Sequence, residues 1–231
     1  MNKIGLKRKT GKLLIGLTGG IASGKSYAAA RLRELGADIV SADELAAREL
    51  MPGAGAYQAV AARYGERALL PDRSINRKFL AGEVFSSKQV RNWLESLIHP
   101  AVLARVWELA AKSRRAVVVA DIPLLFETGA QNCFDFTVCI DSPLALRLKR
   151  ARSRGWTAAE FRRREAAQLP ARRKCALADA VLLNASSRKD FDRKLSALFE
   201  AFELLRRRRK NSKIFRPGGS RSIVCKKKGA K

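Results

Sequence analysis

Short apolar runs alternate along this chain with longer segments of helical periodicity. Leu13–Thr18 is apolar throughout and reads as a buried strand. Lys25–Leu35 has the composition of a helix closed by Gly36, Asp38–Ser41 reads as a second short strand, and Asp43–Met51 as a helix stopped by Pro52 and Gly53. Residues 54–112 carry helical periodicity and few β-branched clusters, with turns expected at Leu70-Pro71-Asp72 and at His99-Pro100; they read as a helical insert. Strand-like runs return at Ala116–Ala120, Phe136–Ile140 and Ala180–Asn184. Between the last two, residues 144–178 are helical, rich in arginine, and broken near Gly155 and Pro170; Arg188–Leu205 has the pattern of an amphipathic helix.

Strands separated by helices imply an α/β fold with a mostly parallel sheet, right-handed crossovers and helices on its flanks. Ligands of such sheets bind beyond the carboxyl ends of the strands. Asp43, Asp121, Asp141 and Asn184 all fall there.

The bulk properties narrow the class. The 231 residues suffice for one α/β domain with inserts, and 47% hydrophobic residues supply a core. No uninterrupted apolar stretch approaches the ~20 residues of a membrane helix. The apolar run after the basic N-terminus is too short for a secretory leader, so a cytoplasmic protein is expected. Four cysteines (Cys133, Cys139, Cys175, Cys225) without C-x-x-C spacing, and one histidine, fit reduced thiols better than a zinc site. Of the net charge of +26, five positive charges fall within residues 1–12 and twelve within 206–231, which leaves +9 for residues 13–205. Residues 206–231 contain no acid and read as a solvated, disordered basic tail, able to attract nucleic acid non-specifically or to serve only as a solubilising extension.

Chemistry enters at residues 19–26, Gly-Gly-Ile-Ala-Ser-Gly-Lys-Ser, set between the first strand and the first helix. Gly-x4-Gly-Lys-Ser in that setting is a phosphate-binding loop. Gly19 and Gly24 permit turns that a Cβ would hinder, and the backbone of Gly20, Ile21, Ala22, Ser23 and Gly24 can then converge N–H groups on phosphate oxygens. Lys25 can reach the β- and γ-phosphates, and the Ser26 hydroxyl can ligate Mg²⁺. ATP or GTP binding follows.

Two acids compete for roles beside the phosphates. Asp121 ends the most apolar strand, where a carboxylate holds Mg²⁺ or its waters, or else caps the turn before Pro123. Asp43 opens a helix, so it is either a catalytic carboxylate or a helix N-cap. The arginines of 147–174, Arg150, Arg154 and Arg164 among them, form either a solvated face or a mobile lid that brings charge onto transferring phosphates. His99 is a lone histidine, more often structural than catalytic, and nothing near it in the sequence suggests a triad.

Taken in order, these motifs resemble the dephospho-coenzyme A kinase family over about residues 13–200. The resemblance rests on Leu17–Ser26, Ala42-Asp43 followed by Ala47-Arg48, Ile98-His99-Pro100, Asp121-Ile-Pro-Leu-Leu-Phe-Glu127, the series Arg150, Arg154-Gly155, Arg164 and Gln168, then Lys174, Ala178-Asp179 and Asn184. It implies a P-loop nucleoside triphosphate hydrolase fold with a nucleotide-binding core at 13–53 and 113–205, a helical CoA-binding insert at 54–112 and a lid at about 144–178. It further implies transfer of the ATP γ-phosphoryl group, with Mg²⁺, to the 3′-hydroxyl of dephospho-CoA. By resemblance Asp43 orients the hydroxyl and takes its proton, while Lys25, Arg150 and Arg154 stabilise charge. Gly20–Ser26, Arg150 and Asn184 bind ATP, and Ser26 and Asp121 hold the metal. His99, Pro123, Leu124, Leu125, Glu127 and Arg164 border the acceptor. The chain departs from the family in having Ser41 where an acid is common, Ala22 where glycine is common, and Tyr27 where threonine is common. The alternatives are another small kinase of the nucleoside monophosphate type, or a nucleotide-dependent nucleic-acid-binding protein.

Overall fold

A computed structural model describes residues 11–211; the remaining basic stretches, 1–10 and 212–231, lie outside the described residues. Five strands, β1 (Leu13–Gly19), β2 (Asp38–Ser41), β3 (Val117–Asp121), β4 (Phe136–Asp141) and β5 (Ala180–Leu183), form one parallel sheet in the order β2-β3-β1-β4-β5. The helices are α1 (Lys25–Glu34), α2 (Ala42–Glu49), α3 (Gly55–Tyr64), α4 (Arg77–Ser86), α5 (Lys88–Lys112), α6 (Leu144–Arg152), α7 (Ala158–Ala166), α8 (Ala171–Leu177) and α9 (Arg188–Asn211).

All seven residues of β1 are buried, as befits a central parallel strand covered on both faces. It pairs with β3 in the register Leu13↔Val117 and with β4 in the register Ile15↔Phe136. Side chains alternate across it. Leu13, Ile15 and Leu17 pack under α1 and α9 with Ala28, Leu32, Phe191, Leu195 and Phe202. Leu14, with Val118 and Ala120 of β3, faces Leu45 of α2 and Val102, Val106 and Ala110 of α5. The chain leaves β1 toward β2 on one side and later reaches β4 on the other. The carboxyl end of β1 is therefore the switch point where such sheets open a crevice.

The insert 54–112 has a small core of its own, in which Val60, Ala68, Ile75 and Leu80 are buried beside Tyr64, Phe79 and Trp93. The expected turn at Leu70-Pro71-Asp72 is present, bridged by Leu69 and Ile75. The one expected at His99-Pro100 is not, because α5 runs through Pro100. A proline inside a helix removes one backbone hydrogen bond and strains the turn before it. Four buried residues, Val90, Val102, Val106 and Ala110, hold the two halves on one line. Helix α9 also outlasts its expected end, continuing through residues 206–211 of the basic stretch expected to be disordered. Phe202 is buried against Phe136, and Arg206 pairs with Glu203, which favours one further turn. Among the described residues no helix is long and apolar enough to cross a membrane.

Candidate active site

The phosphate loop leaves β1 at Gly19 and enters α1 at Lys25. Gly24 has φ +102°, and a Cβ there would lie 2.3 Å from the Asn184 amide nitrogen, so both backbone and space require glycine. At Gly19 a Cβ would meet the Ile140 carbonyl oxygen at 2.5 Å. Ala22 also adopts the left-handed region, with φ +57°. That conformation costs an L-residue roughly 1–2 kcal/mol, which is a physical reason for the family's glycine.

The loop is held from behind. Asn184 donates its amide N–H to the Ser23 carbonyl at 2.8 Å. Arg150 donates to the carbonyls of Ala22 and Ser23 at 3.3 and 3.1 Å, to Ser142 Oγ at 3.0 Å and to the Asn184 carbonyl at 3.4 Å. Because a trans peptide points its C=O and the next N–H in opposite directions, tying back the Ser23 carbonyl aims the Gly24 N–H into the loop. Partial burial and the nearby Arg154 charge hold the Arg150 pKa below its usual value. Its guanidinium is thus engaged with the loop backbone, while Arg154 is exposed and none of the described side-chain hydrogen bonds involves its guanidinium.

Two further residues shape the loop: Arg147, which the sequence reading places among the arginines of 147–174 without a role at the loop, and Ser142, which it does not single out. Arg147, almost wholly buried, stacks on Phe161, donates to Glu165 at 2.7 Å and to the Ser142 carbonyl at 3.1 Å, and would lie 3.0 Å from a Cβ on Gly20. Ser142 is buried and links Arg150 to the Asn184 carbonyl. The arginine-rich run and the Ser-Pro after a strand were their traces in the sequence, and neither reveals that the Arg147 guanidinium packs against Gly20 of the phosphate loop.

On the open side of the loop, Lys25 pairs with Asp121 at the end of β3. Ser26 is exposed in the first turn of α1. A serine hydroxyl and a carboxylate are hard oxygen donors, which suits Mg²⁺. Among the described residues no three His, Cys, Asp or Glu side chains cluster as a metal cage.

The competing roles of Asp43 are separated by its neighbour. The cap of α2 is Ser41, whose Oγ accepts the Glu44 N–H at 3.2 Å. Asp43 is therefore not the cap, and Ser41, which departs from the family's acid, has a structural use. The Asp43 carboxyl opens to solvent at the mouth of a cleft. Crowding by the cleft walls pushes its pKa up, Lys25 opposes that, and Asp121 adds to it. The three charges thus lie within electrostatic reach of one another.

From Asp43 a groove of about 390 Å³ runs between α2 and the insert, walled by Leu50, Leu80, Val84, Phe85 and Ile98, with Arg77 on its rim. Phe85 is 76% exposed. The sequence reading did not mark this surface, because only the meeting of α2 with α4 and α5 makes it a groove.

The other expected acceptor residues divide. His99 is half-buried in α5, and burial lowers its pKa against the opposing charge of Glu95. Pro123 offers its carbonyl to Thr18 Oγ1 at 3.1 Å and to Lys174. Leu124 is half-buried, whereas Leu125 is fully buried beneath β1, against Gly16, and is a core residue. Glu127 turns toward residues 168–174, accepting from Leu169 N at 2.9 Å. Arg164 pairs with Glu160 of its own helix at 2.9 Å and stacks on Trp156.

Comparison with known proteins agrees with this architecture. The family model described as dephospho-CoA kinase matches residues 13–190. A dephospho-CoA kinase of Geobacillus kaustophilus is 39% identical over 198 residues, covering 84% of this chain and 98% of the relative. One from Geobacter sulfurreducens is 37% identical over 191 residues, covering 80% and 96%. Among solved structures, a Thermus thermophilus protein superposes with a TM-score of 0.72 at 34% identity, covering 82% of this chain and 97% of that one. The dephospho-CoA kinase of Campylobacter jejuni superposes with a TM-score of 0.61 at 28% identity, covering 81% and 95%. With its phosphate loop, carboxylates and insert in place, the chain belongs to the dephospho-CoA kinase family.

Proposed function

We propose that this chain transfers the γ-phosphoryl group of ATP to the 3′-hydroxyl of dephospho-CoA, in the cytoplasm, and that Asp43 is its catalytic carboxylate. The observation that carries the reading is the position of Asp43. It lies within electrostatic reach of Lys25 and Asp121 at the carboxyl ends of the strands, is not used as a helix cap, and lines an apolar groove.

A phosphoryl transfer demands positioning and charge stabilisation more than covalent chemistry from the protein. The loop N–H groups and Lys25 would cradle the ATP phosphates. Asp43 would accept a hydrogen bond from the acceptor hydroxyl, align it in line with the phosphorus, and take its proton late in the transfer. A raised carboxyl pKa suits that task, because a base is more effective as its pKa approaches the working pH. The groove would take the apolar parts of the acceptor's arm, and Arg77 an anionic group at its rim. Arg154, exposed and uncommitted among the described hydrogen bonds, would reach the transferring group when residues 144–178 close as a lid. Ser26 and Asp121 would hold Mg²⁺ together with phosphate oxygens. The bound ion neutralises phosphate charge.

The direct test is purified protein with ATP, Mg²⁺ and dephospho-CoA, with the product mass measured and nucleoside monophosphates as competing acceptors. Gain of one phosphoryl group by dephospho-CoA, in preference to the monophosphates, is the expected result. Transfer only to the monophosphates would overturn the reading.

A further inference from the structure

Lys174 sits on α8 with no exposed surface. An ammonium has three donors and no acceptor, and burial leaves none of the three to water. Here each is used: on the Pro123 carbonyl at 2.7 Å, on Gln168 Oε1 at 3.0 Å and on Glu127 Oε1 at 2.9 Å. These partners lie in two separate segments. Pro123 and Glu127 belong to the loop after β3, and the Pro123 carbonyl is also bound by Thr18, at the end of the strand that feeds the phosphate loop. Gln168 lies in the break between α7 and α8, and the next N–H, of Leu169, is bound by Glu127 at 2.9 Å. One buried ion pair therefore ties the strand end, the acceptor-side loop and the base of the lid to a single point.

The second oxygen of Glu127 is buried without a hydrogen-bond partner in this conformation. A carboxylate oxygen left unpaired in the interior is costly, so it is an acceptor open to a donor brought by a rearrangement of these segments. The unfilled acceptor lies beside the residues about which α7 would swing.

We propose that Lys174 and Glu127 are positioning residues: a fixed pivot that transmits closure of the 144–178 lid on ATP to the loop 123–127, and so sets the acceptor for transfer. This rests on reading 144–178 as a lid and 123–127 as the acceptor side. Neither residue touches a reacting atom.

A buried pair invites the objection that it only holds the fold. Removing one partner strands a buried charge, whereas neutralising both often leaves stability intact. The test therefore compares Lys174→Met with Lys174→Met/Glu127→Gln, in which glutamine still accepts from Leu169 N. Tm, kcat, both KM values, and tryptic cleavage at the exposed Arg162 and Arg163 with and without ATP and Mg²⁺ are read for each. The single variant should lose stability. The double variant should recover a Tm near wild type and keep its KM for ATP within about twofold. Its kcat should stay ~10²-fold down, the scale of a small misplacement of reactants. ATP should protect the lid from trypsin in wild type and Asp43→Asn but not in the double variant. Recovery of both Tm and kcat in the double variant would show packing alone and overturn the proposal. If the double variant does not fold, Lys174→Arg decides. Its longer, planar guanidinium cannot reproduce the compact tetrahedral donors of the ammonium, so kcat should fall at unchanged KM for ATP, and a wild-type kcat overturns the pivot. If wild type itself does not phosphorylate dephospho-CoA, the assigned activity fails. The pivot is then judged on trypsin protection alone.

Discussion

The two sides of the phosphate loop are built differently. Behind it, Asn184, Arg150 and Ser142 are buried or half-buried and hold the loop's carbonyls and one another through hydrogen bonds of 2.8–3.4 Å. In front of it, Asp43 stands exposed at the head of an apolar groove whose wall includes a largely exposed phenylalanine. The nucleotide side is pre-organised, so it binds without paying ordering entropy at the moment of contact. The front side is open, and its apolar surface is covered only when a ligand or a moving segment covers it.

The largest effect should come from the front side. Asp43→Asn removes the proton acceptor at nearly constant shape, so kcat should fall by ~10²–10⁴ with little change in ATP affinity. Stability follows from the raised pKa. Between the unfolded value near 3.8 and the higher folded one, the native state binds more protons, so the contribution of Asp43 to stability falls as pH rises through that window. Asp43→Asn should therefore be as stable as wild type or slightly more so at neutral pH, by thermal melting. The acid limb of the wild-type kcat profile should lie above the ordinary aspartate range, with activity lost as pH falls through it. A large drop in Tm without loss of turnover per folded molecule would remove Asp43 from the chemistry.

Arginines separate the sides further. Arg154→Ala should lower kcat by ~10²-fold with little change in KM for ATP, as for loss of one charge stabiliser of the transition state. Arg150→Ala should instead act on the back side, raising KM for ATP and lowering Tm together, since it unties two loop carbonyls. Equal effects of the two variants on KM and Tm would erase the distinction.

Asn184→Ala should cost about 1–3 kcal/mol of stability by unmaking a buried hydrogen bond, with a several-fold rise in KM for ATP and none for the acceptor. Smallest of these, Phe85→Ala should raise KM for dephospho-CoA several-fold, up to about tenfold, and leave KM for ATP unchanged, because only an aromatic ring covered on binding is lost. An unchanged acceptor KM would mean that the groove is not where the acceptor lies.

Much of the frame was legible from hydrophobic spacing. The five expected strands match those observed to within a residue or so, since short apolar runs between helical segments leave a parallel sheet few alternatives. The loop Gly19–Ser26 was equally plain, because its turns demand glycine at set intervals. Two boundaries were misjudged for the same reason. Both were read from local signals, Pro100 from its missing N–H and the run after Leu205 from its charge and lack of apolar residues, and tertiary burial of Val102, Val106 and Phe202 outweighs them. The site was half legible. Positions at strand ends could be named, but side-chain direction could not.

What the sequence determined by itself, then, was local: the order of strands and helices, the phosphate loop, and which titratable residues arrive at the carboxyl end of the sheet. Those follow from backbone sterics and the periodicity of burial, which act over a few residues. Only the tertiary structure decided how the residues are used. Arg150 serves carbonyls 127 and 128 positions away, Lys174 binds a carbonyl 51 positions away, and Leu125 lies in the core while Glu127, two residues on, reaches Leu169 and Lys174. Whether Asp43 or Ser41 caps α2 turned on a single hydrogen bond of 3.2 Å. Hydrogen bonds and ion pairs depend on distances of a few tenths of an ångström between distant segments, and those distances exist only once the chain has packed.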